Sequence, residues 1–248
     1  METIKLYGGK ITISFDEARH RFFDSNGKSV KGVTSYTSTI DKPALINWAV
    51  KMMGIYLQKN WDVGKIKTEA DKNRLIEIAK SQWRTIKEEA AEKGKEAHAW
   101  AEEWTKGNKP KQPDDLEVRN AVIAFLDWFK QSEVKITSSE RFIYSKKYNY
   151  AGIMDWEGKK GKALVIGDYK TSSGIYPEMR LQLALYWNAR EEETGKKYEE
   201  GYIIQFGKQT GEFNQLVIPR KEYLKDLKAA LACLPLKNRL DELKYVKY

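Results

Sequence analysis

The sequence predicts an α/β fold, a short sheet wrapped in helices. Two observations carry this. Helical periodicity dominates the stretches 43–58, 68–104 and 113–131. Three β-like runs then follow, 136–144, 150–156 and 163–169, and a helix over 175–193 separates them from another strand over 202–206.

Taken in order, residues 3–34 are β-rich. Ile4, Leu6, Ile11, Ile13 and Phe15 alternate around Gly8-Gly9, and the runs 21–23 and 30–33 flank Asn26-Gly27, so two hairpins are expected. Asp41 before Pro43 reads as a cap and an early helix residue, with Leu45, Trp48, Ala49, Met52 and Met53 at helical spacing behind them. The region 68–104 reads as two helices. The second carries a stripe of Trp83, Ile86, Ala90, Gly94, Ala97, Ala101 and Trp104 whose centre is small residues only, and Gly107 and Pro110 end it. Val118, Val122, Phe125, Leu126 and Phe129 should face inward from the helix over 113–131. A last strand over 213–218 precedes a helical tail that begins near Pro219 and that Pro235 should break. Residues 1–40 form a β-rich extension, and 41–248 the main domain with helical insertions.

Lys and Arg number 44 against 35 Asp and Glu, a formal charge of +9, which favours a polyanionic partner. With one cysteine, Cys233, a disulfide framework and a four-cysteine metal or iron–sulfur site are excluded within the chain, and a reducing, intracellular setting is the simplest fit. No apolar run reaches the length of a membrane span, and METIKLYGGKITISF does not read as a leader, so a cytoplasmic location is expected. No GxxxxGK[ST] loop occurs, so no helicase motor is expected in the chain, and no nucleotide cofactor is expected.

The chemistry concentrates in GIMDWEGKKGKALVIGDYKTSSG, residues 152–174. Gly161-Lys162 has the form of a two-residue type II′ loop. With that loop Lys160 pairs with Ala163 and, counting back, Asp155 lies opposite Asp168, with Cβ atoms about 4.5–5.5 Å apart. Like charges so placed repel. A fold tolerates them where one acid is protonated or a cation lies between. Carboxylate oxygens suit Mg²⁺ or Mn²⁺. Lys170 shares a strand face with Asp168 and would neutralise the acids or orient a water. Leu164-Val165-Ile166 is a run of the kind buried on both faces, which puts the polar end of this strand at the rim of a core. Thr171 and Ser172 lead into the next helix, where hydroxyls and free N–H groups suit a phosphate. That helix places Gln182 and Tyr186 on one face. His98 lies beside the small-residue stripe, where packing against a sheet would bring its imidazole near the acids. The other histidine, His20, has no companion motif.

With these residues in place, EKGKEAHAWAEEW, GIMDW, IGDYKTS and RLQLALYW together resemble the RecB-like branch of the PD-(D/E)xK nucleases, and within it the mitochondrial genome maintenance exonuclease and its phage and bacterial relatives. The resemblance covers roughly residues 33–206. KGVTSYTSTIDKPALINWAVK is similar to the group's entry segment, although GVTSYT departs from its SVT pattern. The resemblance implies a restriction-endonuclease-like core, a mixed central sheet flanked by helices. It implies metal ligation by His98, Asp155, Asp168 and the Tyr169 carbonyl, and a catalytic Lys170 that positions or deprotonates the attacking water. Gln182 and Tyr186 would support the site and contact DNA, and Glu140 falls where a strand glutamate often precedes the GxxD motif. The implied activity is Mg²⁺- or Mn²⁺-dependent hydrolysis of DNA, foremost an exonuclease on single strands or ends in replication, recombination or repair, alongside phage or host recombination or replication proteins. An endonuclease with the same residues, or a non-catalytic DNA-binding protein of the same fold, stays open. Lys146, Lys147 and Lys159 would draw in the backbone, and Trp48, Trp100, Trp104 or Tyr176 would stack bases.

Overall fold

A computed structural model describes residues 1–246. The described chain divides into two compact units, one of Met1–Ile40 with the chain from Ala97 onward, the other Asp41–Glu96. The first unit is a mixed sheet flanked by helices, as the sequence predicts. Its strands are β1 (Glu2–Leu6), β2 (Ile11–Asp16), β3 (Arg21–Asp24), β4 (Ser29–Gly32), β5 (Val134–Ser145), β6 (Tyr150–Lys160), β7 (Ala163–Lys170), β8 (Glu200–Phe206) and β9 (Phe213–Pro219). They are ordered β1-β2-β3-β4-β6-β7-β8-β9, with β5 pairing β6 along its other edge. The pairs β4–β6 and β7–β8 are parallel and the rest antiparallel. The strands of residues 1–40 thus continue the sheet that the later strands build.

Helices cover both faces. On one, α4 (Leu116–Ser132) inserts Val118, Phe125 and Trp128 among Trp156, Tyr169 and Phe206. Asp115 starts that helix, accepting the N–H groups of Glu117 and Val118 at 2.8 and 3.1 Å. On the other face, α5 (Pro177–Thr194) packs Leu183, Leu185, Tyr186 and Trp187 against Met154, Ile166 and Ile203. Each large side chain buried this way contributes roughly 1.5–3 kcal/mol. The hairpins β1–β4, with Ile13, Phe15 and Phe22, cover Ala151 and Phe142, and the short helix α1 (Val33–Thr37) joins the α5 side.

Three expectations are corrected. The region 68–104 is one helix, α3 (Glu69–Thr105), rather than two. It contains no proline and a single glycine, Gly94. Thr68 and Asp71 cap it reciprocally, at 2.9 and 3.1 Å, and Lys–Glu pairs such as Lys95–Glu92, at 2.7 Å, brace its surface. The tail helix α6 (Arg220–Leu243) runs through Pro235. Leu234 is buried before the proline, and beyond it Lys31 holds Asn238 at 2.6 Å and Asp241 at 3.0 Å, so both halves are anchored despite the lost N–H. Helix α2 (Pro43–Asn60) has Lys42 rather than Asp41 at its cap, with no side-chain capping bond.

One ionic knot ties α5 to the segment before β8 and to α6. Glu191 accepts from Trp187 Nε1 and Tyr198 N, both at 2.9 Å, and from Arg220 Nη1 at 2.6 Å. Burial alone would raise this carboxyl, but the bonds from Arg220, Tyr198, Trp187 and Lys197 outweigh it and hold it at about 2. A depressed carboxyl adds stability above its ordinary value of 4.5, and that contribution disappears as pH falls through about 2. Glu191→Gln is therefore expected to lower stability at neutral pH and to flatten its fall over that acid window. Urea titrations at stepped pH check this.

Candidate active site

The turn between β6 and β7 has Gly161 at φ +58°, and Lys162 is not among the residues of positive φ, which is the type II′ pattern. The ladder pairs Lys160 with Ala163 and continues to Trp156 with Gly167. One step on, Asp155 stands across from Asp168, and there the ladder gives way to a side-chain bond. Tyr169 N–H donates to Asp155 Oδ2 at 2.5 Å. On the other edge of β6 the pairs Ser139–Trp156 and Arg141–Met154 bracket Glu140 opposite Asp155. Three neighbouring strands thus carry carboxylates at one level, Glu140, Asp155 and Asp168.

The strands are irregular at that level. Thr137 occupies a register shift in β5, and Glu140 sits at φ +46°, a left-handed conformation rare for a glutamate. Facing also reverses. Tyr150 and Met154 belong to the core under α5, whereas Trp156, an even step further, belongs to the core under α4. In β5, Ile143 joins the α5 side while Ser139 meets Thr105 of α3 at 2.9 Å.

His98 enters from α3. Its Nδ1 is 3.7 Å from Asp155 Oδ2, and its ring stands edge-on to Tyr169 at 5.9 Å. Lys170 is ion-paired with Asp168 Oδ2. Ligand atoms of His98, Glu140 and Asp155 all lie within 4.8 Å of one another. The sequence treats Glu140 as a supporting residue, yet the structure puts it in this group. Asp168, by contrast, stays outside the group and faces Lys170. Tyr169 engages the site through its N–H and ring.

The electrostatics are those of crowded acids. Burial first, then Asp155, Glu102 and Asp168, push Glu140 up to about 8. Burial raises Asp168 to about 6 against the pull of Lys170, with Asp155 adding to the rise. Asp155 is raised by burial, against Lys170 and the Tyr169 N–H. Burial and Lys170 depress His98 to about 4, keeping its imidazole neutral and able to coordinate. Crowded carboxylates together with a neutral imidazole form an oxygen-rich donor set suited to a hard divalent cation.

Behind the acids, Gln182 Nε2 donates to Tyr186 OH at 2.8 Å. The Tyr186 ring lies so close over Gly152 that a Cβ there would be 2.7 Å from Cε1. Ser172 spends its hydroxyl on the Gly174 carbonyl at 2.8 Å, and its own carbonyl accepts from Gln205 Nε2 at 2.9 Å. Thr171 is half-buried beside it. The stacking expectation is corrected for two tryptophans. Trp100 donates to the Lys111 carbonyl and packs on Phe125, and Trp104 packs on Phe125 and Phe129. Trp48 belongs to the other unit, and Tyr176 is 40% exposed. The Lys147 ammonium lies over the Tyr148 ring, and Lys146 and Lys159 are exposed. His20 packs edge-on to Phe15 among the N-terminal strands.

No family model matches the chain, and no curated protein matches it. Among solved structures, a protein from Eubacterium rectale assigned as an exonuclease aligns with 61% of this chain and 68% of its own, at 11% identity and a TM-score of 0.42. An alkaline exonuclease from Laribacter hongkongensis aligns with 49% of this chain and 68% of its own, at 14% identity and a TM-score of 0.31.

Proposed function

We propose that the protein is a divalent-metal-dependent nuclease of the RecB-like PD-(D/E)xK kind that hydrolyses phosphodiester bonds of DNA, foremost as an exonuclease on single strands or free ends. The observation that carries this is the level row of Glu140, Asp155 and Asp168, with His98 at one side and Lys170 against Asp168. His98, Glu140 and Asp155 would hold the cation, with Asp168 and the Tyr169 carbonyl completing its surroundings. A bound Mg²⁺ or Mn²⁺ would offset charge at the scissile phosphate and lower the pKa of a water. Lys170, steadied by Asp168, orients the attacking water and supplies positive charge as the phosphorane-like charge develops. The Asp155–Tyr169 bond fixes the splayed strand ends so that these groups keep their spacing. Gln182 and Tyr186 hold the wall beneath them, and Thr171 and Ser172 stand at the edge where substrate would lie.

End-labelled single- and double-stranded DNA, with either end blocked, and circular single strands test the reading in Mg²⁺, Mn²⁺ and EDTA. Shortening from free ends that EDTA abolishes supports it. Cutting of circles would replace the exonuclease with an endonuclease, and no cleavage with either metal would defeat it.

A binding prediction accompanies it. Mg²⁺ or Mn²⁺ is expected to raise the melting temperature of the wild type. Glu140→Gln removes one of three repelling acids, so it is expected to melt higher than wild type without metal and to lose most of the metal-induced rise. Scanning fluorimetry reads both.

A further inference from the structure

Two residues past Asp155, β6 carries Glu157, which is buried and fully engaged. Arg190 Nε and Nη2 donate to its two oxygens at 2.7 and 2.8 Å, Tyr198 donates its hydroxyl, and Arg190 Nη1 reaches Glu193 at 2.8 Å. Above this closed floor lies a cleft of about 200 Å³ with Thr137, Lys159, Leu164 and Lys196 around it. Lys135 stands directly opposite Lys159 in the β5–β6 ladder, and both are exposed. Gly158, next to Lys159 and opposite Ile136, lets the strands close up, since a Cβ there would be 2.4 Å from the Lys135 carbonyl oxygen.

Opposed lysines repel as opposed acids do, and directly opposite like charges weaken a ladder. Arg190 holds Glu157 and Glu193 in fixed pairs, and its one positive charge against their two leaves a single excess negative charge beneath three lysines. An anion held between Lys135, Lys159 and Lys196 would offset the repulsion, while the Thr137 hydroxyl is already spent on the Glu157 carbonyl at 3.2 Å. Lys159 is four strand residues from Asp155, roughly 13 Å along β6. A phosphate here is therefore distinct from the one being cleaved.

We propose that this cleft binds a backbone phosphate of the nucleic-acid strand away from the scissile bond. The proposal rests on the nuclease reading for its ligand class, and its test can fail separately. Binding of a fluorescein-labelled single-stranded oligonucleotide is followed by anisotropy in EDTA over a series of salt concentrations. For the triple variant Lys135→Ala, Lys159→Ala, Lys196→Ala, the slope of log K against log salt is expected to shrink by about 0.7 per lost contact, about 2 in all. Lys196→Ala alone should give about a third of that. Lys221→Ala with Lys228→Ala, on α6, removes exposed charge elsewhere and should leave the slope near wild type. Hydrolysis of bis(p-nitrophenyl) phosphate, too small to span both places, should be unchanged. A wild-type slope in the triple variant overturns the proposal. So does a case in which inorganic phosphate raises the melting temperature of wild type but not of the variant while the slope stays unchanged, because the cleft then serves a free anion. A reduced slope in a protein that cleaves nothing keeps the cleft and removes the nuclease.

Discussion

Asp168→Asn and Lys170→Ala are each expected to lower metal-dependent DNA hydrolysis by about 10³-fold, within the range typical of a positioned acid–base group. The two side chains form one unit, because the Lys170 ammonium is paired with Asp168 in a nearly closed environment. Removing either should therefore cost nearly as much as removing both. Binding should separate them from the cleft residues. Strand affinity in EDTA is expected to stay near wild type in Asp168→Asn, so the loss falls on turnover. Single-turnover cleavage with end-labelled substrate, beside anisotropy, checks this. Activity within tenfold of wild type in both variants would remove these residues from the chemistry.

Gly167→Ala is expected to destabilise the fold by about 3 kcal/mol, the upper part of the range for overpacking, and to lower the melting temperature by roughly 10 °C. Gly167 lies opposite Trp156, and the indole crosses over it. A Cβ on residue 167 would be 2.0 Å from Trp156 Cζ2. The ring has nowhere to retreat, being fully buried against Trp128, Tyr169 and Tyr202. Any movement of Trp156 drags its neighbour Asp155, so the variant should also lose activity beyond what its stability explains. Thermal melts and cleavage well below the melting temperature separate the two effects. A melting point within a few degrees of wild type would contradict this account of the packing.

The sequence made much of the site legible because hairpin arithmetic is rigid. Once Gly161-Lys162 is read as a two-residue turn, the Asp155–Asp168 juxtaposition follows, and the ladder from Lys160–Ala163 to Trp156–Gly167 ends one step short of it. Glu140 was harder to place because the same arithmetic on β5 fails at Thr137, where one extra residue enters the strand and nothing in ITSSERF announces it. Gly167 was illegible for a different reason, since its role depends on a ring packed over it from the opposite strand. Helix ends were misread where tertiary contacts decide them. Lys31 secures α6 beyond Pro235 through contacts more than two hundred residues apart, as no local signal can show.

The reversal of facing in β6 gives the interval between Gly152 and Asp155 a meaning of its own. Tyr186 comes down on Gly152, and burial first, then the charges of Asp168 and Asp155, raise its hydroxyl well above the ordinary value. In a regular strand, positions three apart look to opposite sides, and only even intervals share one. Here the ribbon turns over across the odd interval, since Met154 faces the α5 core and Trp156 the α4 core. The spacing of this glycine and aspartate is thus a ruler for a half-turn of the strand. Lengthening or shortening it by one residue would leave every residue type intact and still point the carboxylate into the wrong layer.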